Sequence, residues 1–354
     1  MPQTYAVTSV SSELVDRLRA MPKAEIHVHV EGATNAETFY QIAQQNQVEL
    51  PVHSLEEWQS FFEFRDFPHF IQVYTAAVNC LQTPEDYTLL LERFYQRQAE
   101  ENILYTEAFL SASFLTEKFE VDEILEAIAA GCSAGEANYG CRINLIPDIA
   151  REIPDSQYRV LEFVLKGKER GLFIGLGVGG LEVGYPPELF ADAYAEARHQ
   201  GLRVVAHAGE AVGAASIWGA VNTLKAERIG HGIRCLDDPE LVELLRQRQI
   251  PLEVSPQSNY CLGVVGQNQP HPIRNMVNAG LYCTVNSDDP AMFSTSLTNE
   301  YITLAHQGFT WEELWQLNLN TLEATFLDEA EKDNYRAEWN KFLNGLDTQV
   351  MDND

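Results

Sequence analysis

Eight short apolar runs of strand length recur along the chain, and stretches with helical periodicity separate them. The runs are AEIHVHV (24–30), NILYTEAFL (102–110), CRINLIPDI (141–149), LFIGLGV (172–178), LRVVAHAG (202–209), RIGHGI (228–233), PLEVSP (251–256) and LYCTVNS (281–287). Helical patterns lie between the later ones, at about 121–134, 155–168, 186–200, 214–226, 237–248 and 270–279, each the length of one crossover helix. Most of the runs are continuously apolar and do not alternate, as expected of parallel strands buried on both faces. Eight strand–helix units in 354 residues predict an α/β fold, a closed (β/α)8 TIM-type barrel.

The regularity breaks after the first strand. Residues 33–100 are too long for one crossover and read as a helical insertion, with helices at about 35–46, 56–79 and 84–99. Its aromatic segment LEEWQSFFEFRDFPHFIQVY (55–74) reads either as a small core of its own or as a lid that also walls the substrate pocket. Further helical pattern follows the eighth strand to about Phe342, and the acidic end, 343–354, reads as a flexible tail. No internal repeat or linker divides the chain, so 1–354 reads as a single domain.

The polar residues within the strands fall in one repeated place, the C-terminal end. His27 and His29 are two apart, which puts both imidazoles on one face of a strand. Such a pair alone is more often structural than ligating. Here, however, His207 and Glu210 end the fifth run, His231 ends the sixth, and Asp288 and Asp289 end the eighth. A barrel brings these ends to one mouth. Buried together, such groups need pairing or a metal ion, and three imidazoles with one carboxylate suit zinc better than magnesium or calcium. The expected ligands of one Zn2+ per chain are therefore His27, His29, His207 and Asp288. Glu210, three residues past a ligand, is the expected general acid/base, with His231 and Asp289 orienting the attacking water and His231 also a possible proton acceptor.

Charge narrows the partners. With 24 Lys and Arg against 52 Asp and Glu, the net charge of -28 argues against nucleic acid and anionic membrane surfaces. A hydrophobic fraction of 45% keeps the chain in the globular class. The first 25 residues read as no secretory leader, no segment approaches a membrane span, and the six cysteines form no CxxC pair and read as core residues. A cytoplasmic protein acting on a small molecule is the expectation. The sequence sets no oligomeric state.

On these residues the chain resembles the adenosine and adenine deaminase family of zinc aminohydrolases. The resemblance runs through MPKAEIHVHVEG (21–32), GVGGLE (177–182), VVAHAGE (204–210), RIGHGIR (228–234), LEVSPQSN (252–259) and VNSDDPAMF (285–293). It implies zinc on His27, His29, His207 and Asp288, proton delivery to purine N1 by Glu210, and positioning of the attacking water by His231 and Asp289. It also implies substrate contacts from His29, Glu31, Gly180 and Asp289, with Ser255 to Asn259 shaping the end of the seventh strand. Glu31 stands where the adenosine-specific pattern has the Asp that meets the ribose 5'-hydroxyl, and Leu181 where an acidic or small polar residue is common. The implied activity is hydrolytic deamination of a 6-aminopurine. Adenosine is placed first, ahead of adenine or a modified adenine nucleoside such as aminodeoxyfutalosine.

Overall fold

The computed structural model describes residues 9–351. Eight strands pair in parallel in sequence order: β1 (Lys23–Glu25), β2 (Ile103–Ser111), β3 (Arg142–Ala150), β4 (Gly175–Gly179), β5 (Arg203–Ala208), β6 (Arg228–His231), β7 (Leu252–Val254) and β8 (Cys283–Val285). The ring closes just past the regular ends of β8 and β1, where His29 N donates to Asp288 O at 2.8 Å and Asp288 N to His27 O at 3.2 Å. Helices surround the strands, and the fold is the (β/α)8 barrel expected from the run-and-helix alternation.

Two apolar layers hold it. Phe109, Ile146 and Val205 form a small cluster within the barrel, while a much larger one fills the space between strands and helices. Continuous hydrophobicity in β2 is explained by this double burial, since eight of its nine residues are buried. Below the inner cluster, the fully buried Arg228 at the start of β6 reaches Glu107 of β2 and donates to Glu253 of β7 at 2.6 Å. Phe326 lies against the guanidinium, 3.9 Å from its central carbon to the ring centre.

Several boundaries differ from the sequence reading. The first run is not one strand to residue 30: β1 ends at Glu25, and Val30–Ala33 is already a helical turn. The helix expected over 56–79 is two, Leu55–Phe62 and Phe67–Cys80. Asp66 caps the second by accepting from His69 N at 2.9 Å, with Pro68 in the first turn, a start signal that outweighs the continuous aromatic pattern. At the other end, helix Glu329–Met351 runs past Phe342. Residues 1–8, the start of the segment read for a leader, and 352–354, the end of the expected tail, lie outside the described residues.

The insertion faces two ways. Trp58 and Phe62 pack together at 5.0 Å with Phe39 beside Phe62, and Trp58 Nε1 donates to Ala36 O at 2.9 Å. The next helix instead carries Phe70 onto Phe293, 5.0 Å between ring centres, and Tyr74 onto Ser111 at 2.5 Å, both at the barrel mouth. Cys80, Cys141, Cys235 and Cys283 are buried, and all six cysteines are free thiols. Among the described residues no helix is long and apolar enough to cross a membrane.

Candidate active site

The expected polar residues meet at the C-terminal mouth. His27 and His29 lie just past β1, His207 within β5, His231 at the last position of β6, and Asp288 and Asp289 just past β8. His231 (φ 60°) and Asp288 (φ 66°) both hold left-handed backbone, which costs a non-glycine residue about 1–2 kcal/mol. Tight approach also dictates Gly32, where any Cβ would run into the Asp289 carboxylate.

Three donor spacings at the centre fit side chains that could hold a metal ion. His29 Nε2 lies 3.2 Å from His207 Nε2 and 3.4 Å from Asp288 Oδ1, and His27 Nε2 is also 3.4 Å from that oxygen. Donors about 2.1 Å from a zinc ion lie about 3.0–3.4 Å apart for angles between 90° and tetrahedral. Another set, His27, His207, His231 and Asp288, has its donor atoms mutually within 4.8 Å, and a third joins His29, Asp288 and Asp289. His29 and His231 thus both border the centre, and His231 Nε2 is 3.9 Å from Asp288 Oδ2 and 3.6 Å from Glu210 Oε1.

The outer ring nitrogens are already committed, which turns the inner ones toward the centre. His207 Nδ1 donates to Val178 O at 2.9 Å, and a carbonyl only accepts, so neutral His207 presents an Nε2 lone pair. His27 Nδ1 pairs with Glu253 Oε2 at 2.8 Å, and its buried Nε2 has no hydrogen-bond partner. That nitrogen, 3.4 Å from Asp288 Oδ1, fits a metal ligand. Burial works against positive charge here, yet Asp288 and Glu253 push His27 up to about 9, and Asp289 and Asp288 push His29 up to about 10. His207 is driven down instead, by burial and by His27 and His29. Glu25 steadies the loop before Asp288, accepting from Ser287 N at 2.9 Å and Oγ at 2.6 Å.

Glu210 stands beside this centre with Oε1 buried and without a hydrogen bond. Burial, then the charges of Asp288 and Glu182, push it up to about 8. Its loop is tied by Glu182, which accepts from the N–H groups of Gly209 (2.6 Å), Ala211 (2.8 Å) and Val212 (2.7 Å). Burial and Asp288 likewise raise Asp289 to about 7, and burial lowers His231 to about 4. Two carboxyls raised above their ordinary range, Glu210 and Asp289, thus border the centre, with Glu210 beside the His231 imidazole.

Two expected substrate contacts lie further out. Glu31 is 1% exposed, Oε1 accepts from Ser111 N at 3.0 Å, Oε2 has no partner, and burial pushes its carboxyl up to about 7. Gly180 follows β4 with φ 83°, packed against Glu152, which accepts from Leu181 N at 3.1 Å. Glu253 and Glu182 were not picked out from the sequence. The signal for Glu253 was a lone acid inside the apolar run PLEVSP. For Glu182 it was an acid three residues past a strand-ending glycine in GVGGLE.

Comparison with known proteins follows the same lines. The adenosine deaminase family model matches residues 22–341. The chain is 36% identical over 335 residues to an adenine deaminase of Acinetobacter baylyi, covering 93% of this chain and 99% of that one. An adenine deaminase of Wolinella succinogenes is also 36% identical, over 322 residues, with 90% and 97% covered. Among solved structures, adenine deaminase from Arthrobacter aurescens superposes with a TM-score of 0.86 at 32% identity, covering 92% of this chain and all of that one. An amidohydrolase from Burkholderia ambifaria with bound Zn superposes with a TM-score of 0.88 at 26% identity over 99% and 98%.

Proposed function

The chain belongs to the adenosine deaminase family, and from that premise we propose that it is an adenine deaminase, converting free adenine and water to hypoxanthine and ammonia. The observation that carries this reading is near full-length similarity to relatives named adenine deaminase, at 36% identity for the two described above. It reverses the order expected from the sequence, where adenosine came first. The Glu31 corner supports the reversal. Its carboxyl takes the place of the shorter Asp of adenosine-specific members and is nearly shut off from solvent, with Ser111 bonded to it and Tyr74 to Ser111.

On this reading His27, His29, His207 and Asp288 hold one zinc ion, which when bound supplies the Lewis acidity that makes water a nucleophile near neutral pH. Glu210, with its proton, protonates ring N1 as the C6–O bond forms, so that negative charge does not build up in the ring. Asp289 takes the proton from the attacking water and passes it to the amino nitrogen. The C6–N bond then breaks and ammonia leaves, while the C6 hydroxyl gives its remaining proton to Glu210, which forms the C6=O of hypoxanthine and restores the acid. His231 is a weak base and orients the water. Gly180 offers its backbone to the purine edge, and Glu31 bounds the five-membered ring.

The test is ammonia release, followed with the ultraviolet change, from adenine, adenosine and 2'-deoxyadenosine by purified zinc-loaded protein. Adenine is expected to exceed adenosine in kcat/KM by about 100-fold or more, a scale that steric and polar rejection together supply. Equal or better turnover of adenosine would overturn the assignment.

A further inference from the structure

A line of buried side chains leads away from His231 through Asn259 to His271, and its far end has a fixed polarity. Ile273 N–H donates to His271 Nδ1 at 3.2 Å. A backbone amide cannot accept, so Nδ1 of His271 carries no proton, the ring is neutral, and its one proton sits on Nε2. Burial, which lowers His271 to about 3, agrees. His271 Nε2 faces Asn259 Oδ1 at 3.0 Å, and Asn259 Nδ2 faces His231 Nδ1 at 3.3 Å. Turning the amide around would set Nδ2 against the His271 N–H, donor against donor. The amide therefore donates to His231, whose Nδ1 must accept. All three side chains are at most 1% exposed, so water does not compete for these contacts.

We infer that Asn259 and His271 are positioning residues that hold His231 in its Nε2–H tautomer, making it a hydrogen-bond donor toward the reacting water and excluding it as the acceptor of the water's proton. This rests on the proposed deaminase reading for its catalytic meaning, but the tautomer itself is a property of the resting protein. On this reading His231 is not the proton acceptor that the sequence allowed it to be. With Nδ1 occupied as an acceptor, His231 has no free lone pair facing Glu210 and Asp288, which lie 3.6 and 3.9 Å from Nε2. The proton from water must then go to a carboxylate, and Asp289 is the one placed to take it.

Asn259→Asp is the informative change. The carboxylate keeps the bond from His271 Nε2–H but can no longer donate, so His231 must turn its proton to Nδ1 or become doubly protonated. Zinc-loaded protein carrying 15N-labelled histidine is measured by two-bond proton–nitrogen correlation, with the His231 signals identified by their loss in His231→Gln. The wild type is expected to show the Nε2–H form, and N259D the Nδ1–H or imidazolium form, with zinc content unchanged. Turnover of adenine in N259D should fall about 100-fold through kcat, the scale of a misdirected proton-transfer partner, with KM within about threefold. His271→Phe, which removes the group that orients the amide, should leave both tautomers of His231 populated.

A proton on Nδ1 of His231 in the wild type overturns the inference, as does an unchanged tautomer in N259D or a changed tautomer with unchanged kcat. If N259D does not fold, the wild-type spectrum and H271F decide. The spectra need no substrate. A wild type with the Nε2–H form and no activity on adenine would sink the function proposed above and leave the tautomer assignment standing.

Discussion

Glu210→Gln keeps the shape of the side chain and removes its transferable proton, and two separate consequences follow. The first is kinetic: turnover in metal-replete enzyme should fall by about two to four orders of magnitude, or about 2.7–5.4 kcal/mol in barrier, the range for loss of a general acid. The second is thermodynamic. Burial, then Asp288 and Glu182, raises this carboxyl from 4.5 to about 8, and its side chain is only 17% exposed. An acid with a raised folded pKa binds a proton in the native state over a range where the unfolded chain has lost it. Its contribution is fully present below about 4.5 and is lost as pH rises through about 8. At pH 7 the resulting penalty is about 3 kcal/mol, and at pH 5 under about 1 kcal/mol. Glutamine carries no such penalty. After chelation, E210Q should therefore be more stable than wild type at pH 7–8, with the difference shrinking toward pH 5. Urea melts at four pH values and ammonia release from zinc-loaded protein read the two effects. Turnover within threefold of wild type would remove Glu210 from the proton path, and a stability difference flat with pH would contradict its buried, protonated state.

Other perturbations address neighbouring links. His207→Ala should lower bound zinc from about one equivalent per chain to a small fraction after dialysis, measured by elemental analysis, and should abolish the melting-temperature gap between zinc-loaded and chelated protein. Glu182→Ala leaves three N–H groups without their common acceptor, at about 1–3 kcal/mol for the buried one of Gly209; a drop in kcat with zinc retained is expected, and unchanged kcat would show that the loop holds Glu210 without it. Glu31→Asp should change the adenine-to-adenosine ratio of kcat/KM by about 10- to 100-fold, the worth of one charge-assisted hydrogen bond. An equal fall for both substrates would make Glu31 a support for the Ser111 backbone and no selector.

The barrel was legible because doubly buried strands have an unmistakable composition, and the polar residues interrupting them at one end stand out against it. Periodicity could not say where β1 stops, since HVHV continues an alternating pattern while its ladder passes to residues around Asp288, more than 250 positions away. The residues that prepare the site were harder to find for a related reason. Glu253 acts only through Arg228 and His27, His271 only through Asn259, and these contacts join strands and loops that sequence spacing does not relate. The break at Asp66 and Pro68 was readable from the capping chemistry and was masked by the density of aromatic residues around it.

Arg228 at the barrel floor has a bearing on how the chain reaches this state at all. Its partners come from Glu107 in the first half of the barrel and from Glu253, the carbonyl of Ala324 and the ring of Phe326 in the second. A contiguous half-barrel beginning at β5 would contain the cation without Glu107, and its complement would bury Glu107 with no cation. Breaking such a pair costs about 3–5 kcal/mol, comparable with a large part of the net stability of a domain, about 5–15 kcal/mol. Halves expressed separately should therefore not persist as folded modules. The ionic floor ties β2 to β6, β7 and the segment after β8, so that denaturation is expected as a single transition without a stable half-folded intermediate, and two resolved transitions in a urea melt would contradict that coupling.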